Sequence, residues 1–322
     1  MKAVGLLSGG LDSMLAVKVL QEQGIEVIGV TFESPFFGSG RARRAARALR
    51  VPLRVVDITE ELLEVVRRPK HGRGSGMNPC IDCHALMLRG AAEVMREEGA
   101  AFLFTGEVLG QRPFSQTRGA LRLVERESGQ EGLVLRPLSA KLLPETLPER
   151  RGWVDRSRLL DLRGRGRKRQ MELAERYGIE EYPSPAGGCL LTDPAYARRL
   201  KDLLEHQEEV KRRDLEILKV GRHLRISPRT KVVVGRNARE NEEILRWEEK
   251  GDLVMEAEAY PGPTCLIPGG GNERDWEQAA AICLRYSDAP KDRPGRVLCH
   301  GRWEGTVETS ALPPEECEPL LI

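Results

Sequence analysis

Lys2-Ala3-Val4-Gly5-Leu6-Leu7-Ser8-Gly9-Gly10-Leu11-Asp12-Ser13 opens on an unbroken apolar run, turns through two glycines, and continues into a helical pattern that lasts to about residue 23 and stops at Gly24. A run of that length reads as a buried strand. Gly9 and Gly10 let the backbone turn sharply and approach an anion with no Cβ in the way. The helix behind them points free N–H groups and a positive dipole end at the turn. Ser8 and Ser13 add hydroxyl donors. Asp12 would repel a bare phosphate, so its place here makes sense as a ligand of Mg²⁺ or of a bridging water. The turn carries no Gly-Lys-Ser/Thr and is not a P-loop of the Walker type.

Working outward, strand patterns at 25–33, 53–57 and 101–105 alternate with helical patterns at about 40–49, 59–67 and 84–98. Such alternation predicts an α/β domain with a parallel sheet covered on both faces. A helix is expected at 168–177 and a charged amphipathic helix over 194–218. From about residue 220 the texture changes to short β runs, such as 231–234 and 253–257, with Gly and Pro turns, and a helix at 275–286. The expected division is a nucleotide domain over 1–182, a linker over 183–218 with the Cys189 loop and the charged helix, and a small α+β domain over 219–322.

The chain has 322 residues, 40% hydrophobic and 31% charged, with a net charge of +2. That length suffices for two domains with cores of their own. The positive charge is concentrated at 41–50 and 151–169, and local basic density favours nucleic-acid contact more than the total does. No run reaches the ~20 apolar residues of a membrane span. Met1 leads directly into the first strand, which is unlike a signal peptide, so a cytoplasmic location is expected.

Seven cysteines in such a chain point to chemistry or burial rather than disulfides. Asn78-Pro79-Cys80-Ile81-Asp82-Cys83-His84 places a pair before a helix, where a helix N-terminus favours thiolate. Pro185-Ala186-Gly187-Gly188-Cys189 supplies a third cysteine in a glycine-formed loop. Cys80, Cys83 and Cys189 suit a [4Fe–4S] cluster with one open iron; a redox or persulfide pair and a zinc site completed by His84 are the alternatives. Cys265, Cys283, Cys299 and Cys317 are spaced as packing residues. Behind the strand at 101–105, Gln111, Arg112 and Ser115 are candidate substrate contacts, with Arg136 and Ser139 weaker ones.

Ser8-Gly9-Gly10-Leu11-Asp12-Ser13 resembles the loop of the PP-loop ATP pyrophosphatase superfamily. The resemblance implies a flavodoxin-like parallel sheet, ATP and Mg²⁺ as cofactors, cleavage between the α- and β-phosphates, and an adenylated intermediate. It places adenine near Val30, Thr31 and Phe32, and closure of the nucleotide site at Thr105-Gly106-Glu107. Asn78-Pro79 followed by three residues and Cys83 is similar to the tRNA 2-thiouridylase branch, in which that cysteine handles sulfur. The additional Cys80 makes it similar to iron–sulfur-dependent tRNA thiolation enzymes, although their terminal zinc-binding cysteine pairs are missing. These resemblances cover residues 1–190. The stretch 229–244 resembles the RNA-binding domain of NFACT-type ribosome-associated proteins and would present Arg225, Lys231, Arg236 and Arg239 to phosphates.

The implied activity is ATP-dependent thiolation of a tRNA uridine, with Asp12, Cys83 and Cys189 as catalytic residues. Ser8, Gly9, Gly10, Asp12, Ser13, Phe32, Gly106 and Glu107 would hold the nucleotide. Expected partners are tRNA and a small-molecule or protein sulfur donor, with a homodimer as one assembly and no membrane. The rival readings are a PP-loop amide-forming ligase with structural cysteines and an RNA-binding factor that only senses nucleotide.

Overall fold

The apolar run at the amino end becomes β1 (Lys2–Leu6), the middle strand of a five-stranded sheet. This is a computed structural model, and it describes residues 1–184 and 188–322. Parallel neighbours lie on both sides of β1: β2 (Glu26–Glu33) in register Lys2 to Glu26, and β4 (Phe102–Thr105) in register Ala3 to Phe102. The strand order is β3-β2-β1-β4-β5, with β3 at Leu53–Asp57, β5 at Val134–Leu135 and every pairing parallel. Ala3, Val4, Leu103 and Val134 are fully buried, as strands covered on both faces require.

The helices are α1 (Leu11–Gln21), α2 (Gly40–Leu49), α3 (Thr59–Arg67), α4 (Cys80–Glu97), α5 (Arg118–Ser128), α6 (Leu147–Arg150) and α7 (Lys168–Arg176). Leu11, Leu15 and Leu20 of α1 join Phe102, Phe104 and Leu135 in one core. The strand order reverses between β1 and β4, so the loops leaving their carboxyl ends part from each other and open a crevice.

Two elements differ from the sequence expectation. The helix expected from residue 84 begins at Cys80, because the Cys83 N–H already donates to the Pro79 carbonyl at 2.8 Å. The Cys80/Cys83 pair therefore rides on the first turn of α4 rather than in the loop before it. Helix α5 was not expected, although Ala120, Leu121 and Val124 form its buried stripe and the Thr117 hydroxyl caps it by accepting from the Ala120 N–H at 3.2 Å.

The chain divides at Thr192/Asp193. The second unit, Asp193–Ile322, takes in the charged segment expected to be a linker. That segment is two helices, α8 (Pro194–His206) and α9 (Arg212–Ile217), and not one over 194–218. Gln207 turns to an extended conformation (φ −136°), and Asp214 accepts the Lys211 N–H at 2.9 Å to start α9 afresh. Helix α8 buries Tyr196, Leu200 and Leu203, and the Tyr196 hydroxyl donates to the Leu215 carbonyl at 3.1 Å, which ties it into this domain.

The core of the unit is an antiparallel sheet ordered β11-β10-β8-β9-β7-β6. Its strands are β6 (Arg222–Ser227), β7 (Thr230–Val234), β8 (Leu253–Ala257), β9 (Cys265–Ile267), β10 (Gly295–Gly301) and β11 (Gly305–Thr309). Val232 and Val234 pack with Ala280 and Cys283 of α11 (Trp276–Tyr286), while Val233 packs with Ile217 of α9 and Ile244 of α10 (Ala238–Arg246). The two-residue period of β7 thus serves two helical layers. A short α12 (Pro314–Cys317) follows near the end of the chain. Cys265, Cys283, Cys299 and Cys317 are all buried, in keeping with a packing role. No helix among the described residues is long and apolar enough to cross a membrane.

Candidate active site

Gly9 adopts φ +76°, and a Cβ there would lie 2.4 Å from the Arg41 carbonyl carbon, so only glycine lets the loop rest against the start of α2. Gly10 is the N-cap of α1 with no side-chain cap, which leaves first-turn N–H groups free to meet an anion. The Ser8 hydroxyl accepts the Gly10 N–H at 3.3 Å and lies 3.3 Å from the Ser13 hydroxyl, which donates to the Gly10 carbonyl at 2.8 Å. The loop is held in shape by its own groups before any ligand arrives.

Asp12 sits beside this cradle. Burial pushes its carboxyl above the usual aspartate range, against the Gln111 hydrogen bond and the charges of Arg167 and Arg112. Oδ2 accepts from Gln111 Nε2 at 3.0 Å, while Oδ1 is buried without a hydrogen-bond partner. An orphaned carboxylate oxygen at a phosphate cradle fits one coordination position of Mg²⁺. Gln170, itself buried, also bears on Asp12. Arg167 and Gln170 were not singled out from sequence. Arg167 lies in the basic stretch expected to contact nucleic acid and Gln170 just beyond it, and no periodicity marks them. Other arginines of that stretch are held internally: Arg156 reaches the Leu143 carbonyl at 3.0 Å and Arg158 the Glu22 carbonyl at 2.5 Å.

The loop after β4 closes the other side of the crevice. A Cβ on Gly106 would lie 2.5 Å from the Ser13 nitrogen and 2.6 Å from the Asp12 carbonyl carbon, both backbone atoms that cannot yield. Gly106→Ala is therefore expected to displace the start of α1, lowering stability by about 1–3 kcal/mol and weakening ATP binding at least about tenfold. Melting curves with and without ATP check both effects.

Glu107 is committed to the protein. Its Oε2 accepts from Thr105 Oγ1 at 3.0 Å and Arg136 Nε at 3.1 Å, and its Oε1 lies 3.1 Å from His84 Nδ1. Burial works to raise this carboxyl, but Arg136 and His84 outweigh it and hold it at about 2. Arg136 is buried and also pairs with Glu125. Ser139 donates to the Leu162 carbonyl at 2.6 Å and accepts the Leu109 N–H at 3.0 Å. The ring of Phe32 is buried and faces Gly90 of α4, so only its backbone is left for a nucleotide. Ser115 is buried beneath its loop, while Arg112 is exposed.

The cysteines converge. Asn78 Nδ2 donates to Cys80 Sγ at 3.1 Å. The Cys189 loop is tied down beside it: the Met77 N–H donates to the Leu191 carbonyl at 3.0 Å and the Leu190 N–H to the Phe36 carbonyl at 2.9 Å. Pro185, Ala186 and Gly187 of its motif lie outside the described residues. The expectation that a helix N-terminus favours thiolate is overturned for Cys83. Burial, then repulsion by Cys189 and Cys80, pushes its thiol far up. Burial likewise pushes Cys189 up to about 11. Desolvation outweighs the helix dipole. Among the described residues, no three His, Cys, Asp or Glu side chains form a group that could hold a metal ion, which supports neither zinc completed by His84 nor a cluster on Cys80, Cys83 and Cys189. Cys189 and Cys80 both add to the cost of ionising Cys83, which places the three sulfurs near one another, and thiolate sulfur is the ligand type that an iron–sulfur cluster takes.

In the second domain, two of the four expected phosphate contacts face inward. Arg225 pairs with Asp202 through two nitrogens, at 3.0 and 2.6 Å, and Lys231 is buried 3.3 Å from the same carboxylate. Arg236 pairs with Glu240 on α10, and Arg239 is exposed.

Residues 1–141 match the family described as Thiamine biosynthesis protein (ThiI), and residues 221–319 match the NFACT protein RNA binding domain. The first segment is thus similar to ThiI proteins and the second to the NFACT-type RNA binding domain, each match covering less than half of the chain. The ThiI match spans the cradle, Gly106, Glu107 and the Cys80/Cys83 pair, and ends before Cys189.

The chain is 34% identical over 121 residues to a probable tRNA sulfurtransferase of Thermoanaerobacter sp. (strain X514), covering 34% of this chain and 30% of that protein. It is 36% identical over 116 residues to the tRNA-specific 2-thiouridylase MnmA of Syntrophotalea carbinolica (strain DSM 2380 / NBRC 103641 / GraBd1), covering 31% of this chain and 32% of that protein. It thus spans about a third of the length of these curated relatives. A solved 4-thiouridine synthetase–RNA complex with bound ATP is 26% identical, covering 68% of this chain and 52% of that one, at a TM-score of 0.38, too loose a likeness to carry an argument.

Proposed function

We propose that this chain is an ATP-dependent sulfurtransferase that thiolates a uridine of tRNA. The observation that supports the reading is that Gly106 packs against the backbone of Asp12 and Ser13 while the next residue, Glu107, lies 3.1 Å from Nδ1 of His84, the neighbour of Cys83 on α4. The phosphate cradle and the Cys80/Cys83 pair thus both border the loop after β4. The curated relatives, named as tRNA sulfurtransferase and tRNA thiouridylase, support the same chemistry.

The free N–H groups of α1 and the hydroxyls of Ser8 and Ser13 bind the pyrophosphate end of ATP. Asp12 would hold Mg²⁺, which would lower the charge on the leaving group. Arg112 and Gln111 border the α-phosphate, where the base carbonyl oxygen attacks. The bond to pyrophosphate breaks, and the base is left adenylated. Adenylation is needed because an amide-like oxygen is a very poor leaving group. Sulfur then forms the C–S bond while the C–O bond to AMP breaks.

Cys80, Cys83 and Cys189 deliver that sulfur. A [4Fe–4S] cluster on the three would supply an iron with an open position for it. In its absence Cys83 would carry a persulfide whose outer sulfur attacks the base carbon as AMP leaves; Cys80 or Cys189 would then attack the Cys83 sulfur, releasing the thiolated base and leaving a protein disulfide that an external thiol reduces.

Anaerobically purified protein is expected to contain iron and acid-labile sulfide, and to release pyrophosphate when ATP and unmodified tRNA are both present. Cys80→Ala, Cys83→Ala and Cys189→Ala should each lose the iron. Retention of thiolation by an iron-free protein, with a sulfane sulfur lost only in Cys83→Ala, assigns the persulfide. Pyrophosphate release that ignores tRNA, or depends on an amine, returns the chain to the amide-forming ligases.

A further inference from the structure

Within Asp193–Ile322, α8 and α9 meet β6 and β7 around a cavity of about 280 Å³. Its wall includes His206, Asp214, Arg225, Arg229 and Lys231. Lys231 is 9% exposed, and its Nζ is buried with no well-directed hydrogen bond. Its ion-pair partner, Asp202 Oδ2 at 3.3 Å, already accepts from Arg225 Nη2 at 2.6 Å.

A third cation adds to the excess. Arg199 rests on the carbonyls of Leu218 and Gly221, at 2.9 and 3.0 Å, with its Nε unpartnered, and its charge reaches Lys231. Burial lowers Lys231 to about 8; Asp202 opposes the shift, while Arg225 and Arg199 add to it. Burial, then Lys231 and Arg199, keeps the neighbouring His223 neutral. Arg225 and Lys231 thus share the single Asp202 carboxylate, with the Arg199 charge also reaching Lys231, an arrangement that costs free energy at a buried ammonium unless a further anion is present. The carboxylate on the cavity wall adds no salt bridge to these cations: Asp214 Oδ2 is taken by Gln207 Nε2 and the Lys211 N–H, both at 2.9 Å.

We propose that this cavity binds a phosphate group between Lys231, Arg225 and the exposed Arg229. All three residues line the cavity, and one ammonium with two guanidinium groups is a donor set suited to the oxygens of a phosphate. The phosphate is either a backbone phosphodiester of bound RNA or free inorganic phosphate. The site lies outside the ATP-binding domain and does not depend on the chemistry assigned to it.

The test uses the full chain with ATP saturating the cradle, so that phosphate is not read there. Inorganic phosphate, against chloride at equal ionic strength, should raise the melting temperature of the wild type and not that of Lys231→Met, which keeps the buried volume and removes the charge. Arg229→Gln, at the exposed rim, should weaken the same response and decides the matter should Lys231→Met not fold. If the source is RNA, both variants also bind unmodified tRNA about tenfold more weakly, and the slope of log affinity against log salt falls by about one for each. A phosphate response without any change in tRNA affinity assigns free phosphate. Folded variants that respond to phosphate and bind tRNA as the wild type does overturn the proposal. Asp12→Asn should keep the phosphate response, so failure of the sulfur-transfer reading is seen separately.

Discussion

Arg136→Met is expected to lose about 3–5 kcal/mol of stability, the largest loss from a single side chain in the first domain. The guanidinium is buried between Glu107 and Glu125, and its removal strands two carboxylates that are mostly buried. The pH dependence tests the mechanism. In the wild type the folded pKa of Glu107 is about 2, below its unfolded value of 4.5. A carboxyl lowered in this way contributes stability that is present above about pH 5 and is lost as pH falls toward 2, on the order of 3 kcal/mol in all. In Arg136→Met, burial dominates and lifts Glu107 above its unfolded value. The sign then reverses, and the variant loses stability as pH rises through neutrality. Denaturant midpoints at pH 4 and pH 7 read this directly; a variant that ranks the two pH values as the wild type does would show that Arg136 only fills space.

Asp12→Asn is expected to lose at least about 100-fold in ATP turnover while melting no lower than the wild type. The two halves of this result come from one fact. Burial raises the Asp12 carboxyl above its unfolded value and leaves Oδ1 without a partner. Such a group opposes folding at any pH where it is ionised, and stability is lost as pH rises through its folded pKa. A carboxylate kept at a cost to stability beside a phosphate cradle is held for binding. Asparagine keeps the shape and the Gln111 contact site but removes the charge that Mg²⁺ needs. Turnover measured by pyrophosphate release, next to a melting curve, checks both halves. Turnover within a few-fold of the wild type sinks the metal-binding role, and a large fall in melting temperature sinks the stability argument.

Much of the first domain was legible in the sequence, because its signals are local. The apolar run before Gly9-Gly10 is long enough only for a buried strand, and a buried parallel strand needs a covering helix on each face. The functional types in the Ser8–Ser13 loop followed from what an anion at a helix N-terminus requires. Helix α5 carried its own stripe, Ala120, Leu121 and Val124, but prolines and scattered β-formers around it hid the period. The single helix over 194–218 broke because the Asp214 side chain caps a new start, a side-chain choice that periodicity does not register.

What the sequence by itself determined was the cradle and the layered sheet behind it. These depend on contacts between residues near in the chain and on how many apolar residues follow one another. Only the tertiary structure decided which polar groups of the site face a ligand and which face the protein. Glu107 reads like a ligand contact but is spent on Arg136, and the basic stretch that reads as a surface for nucleic acid brings Arg167 to bear on Asp12, together with Gln170 just beyond it. It also decided the state of the cysteines, since Cys83 and Cys189 are about a hundred residues apart and Cys189 raises the cost of ionising Cys83 only once folding brings them together. The physical reason is common to all three cases: burial and electrostatic pairing act through space, and the order of residues along the chain carries no record of the distances they depend on.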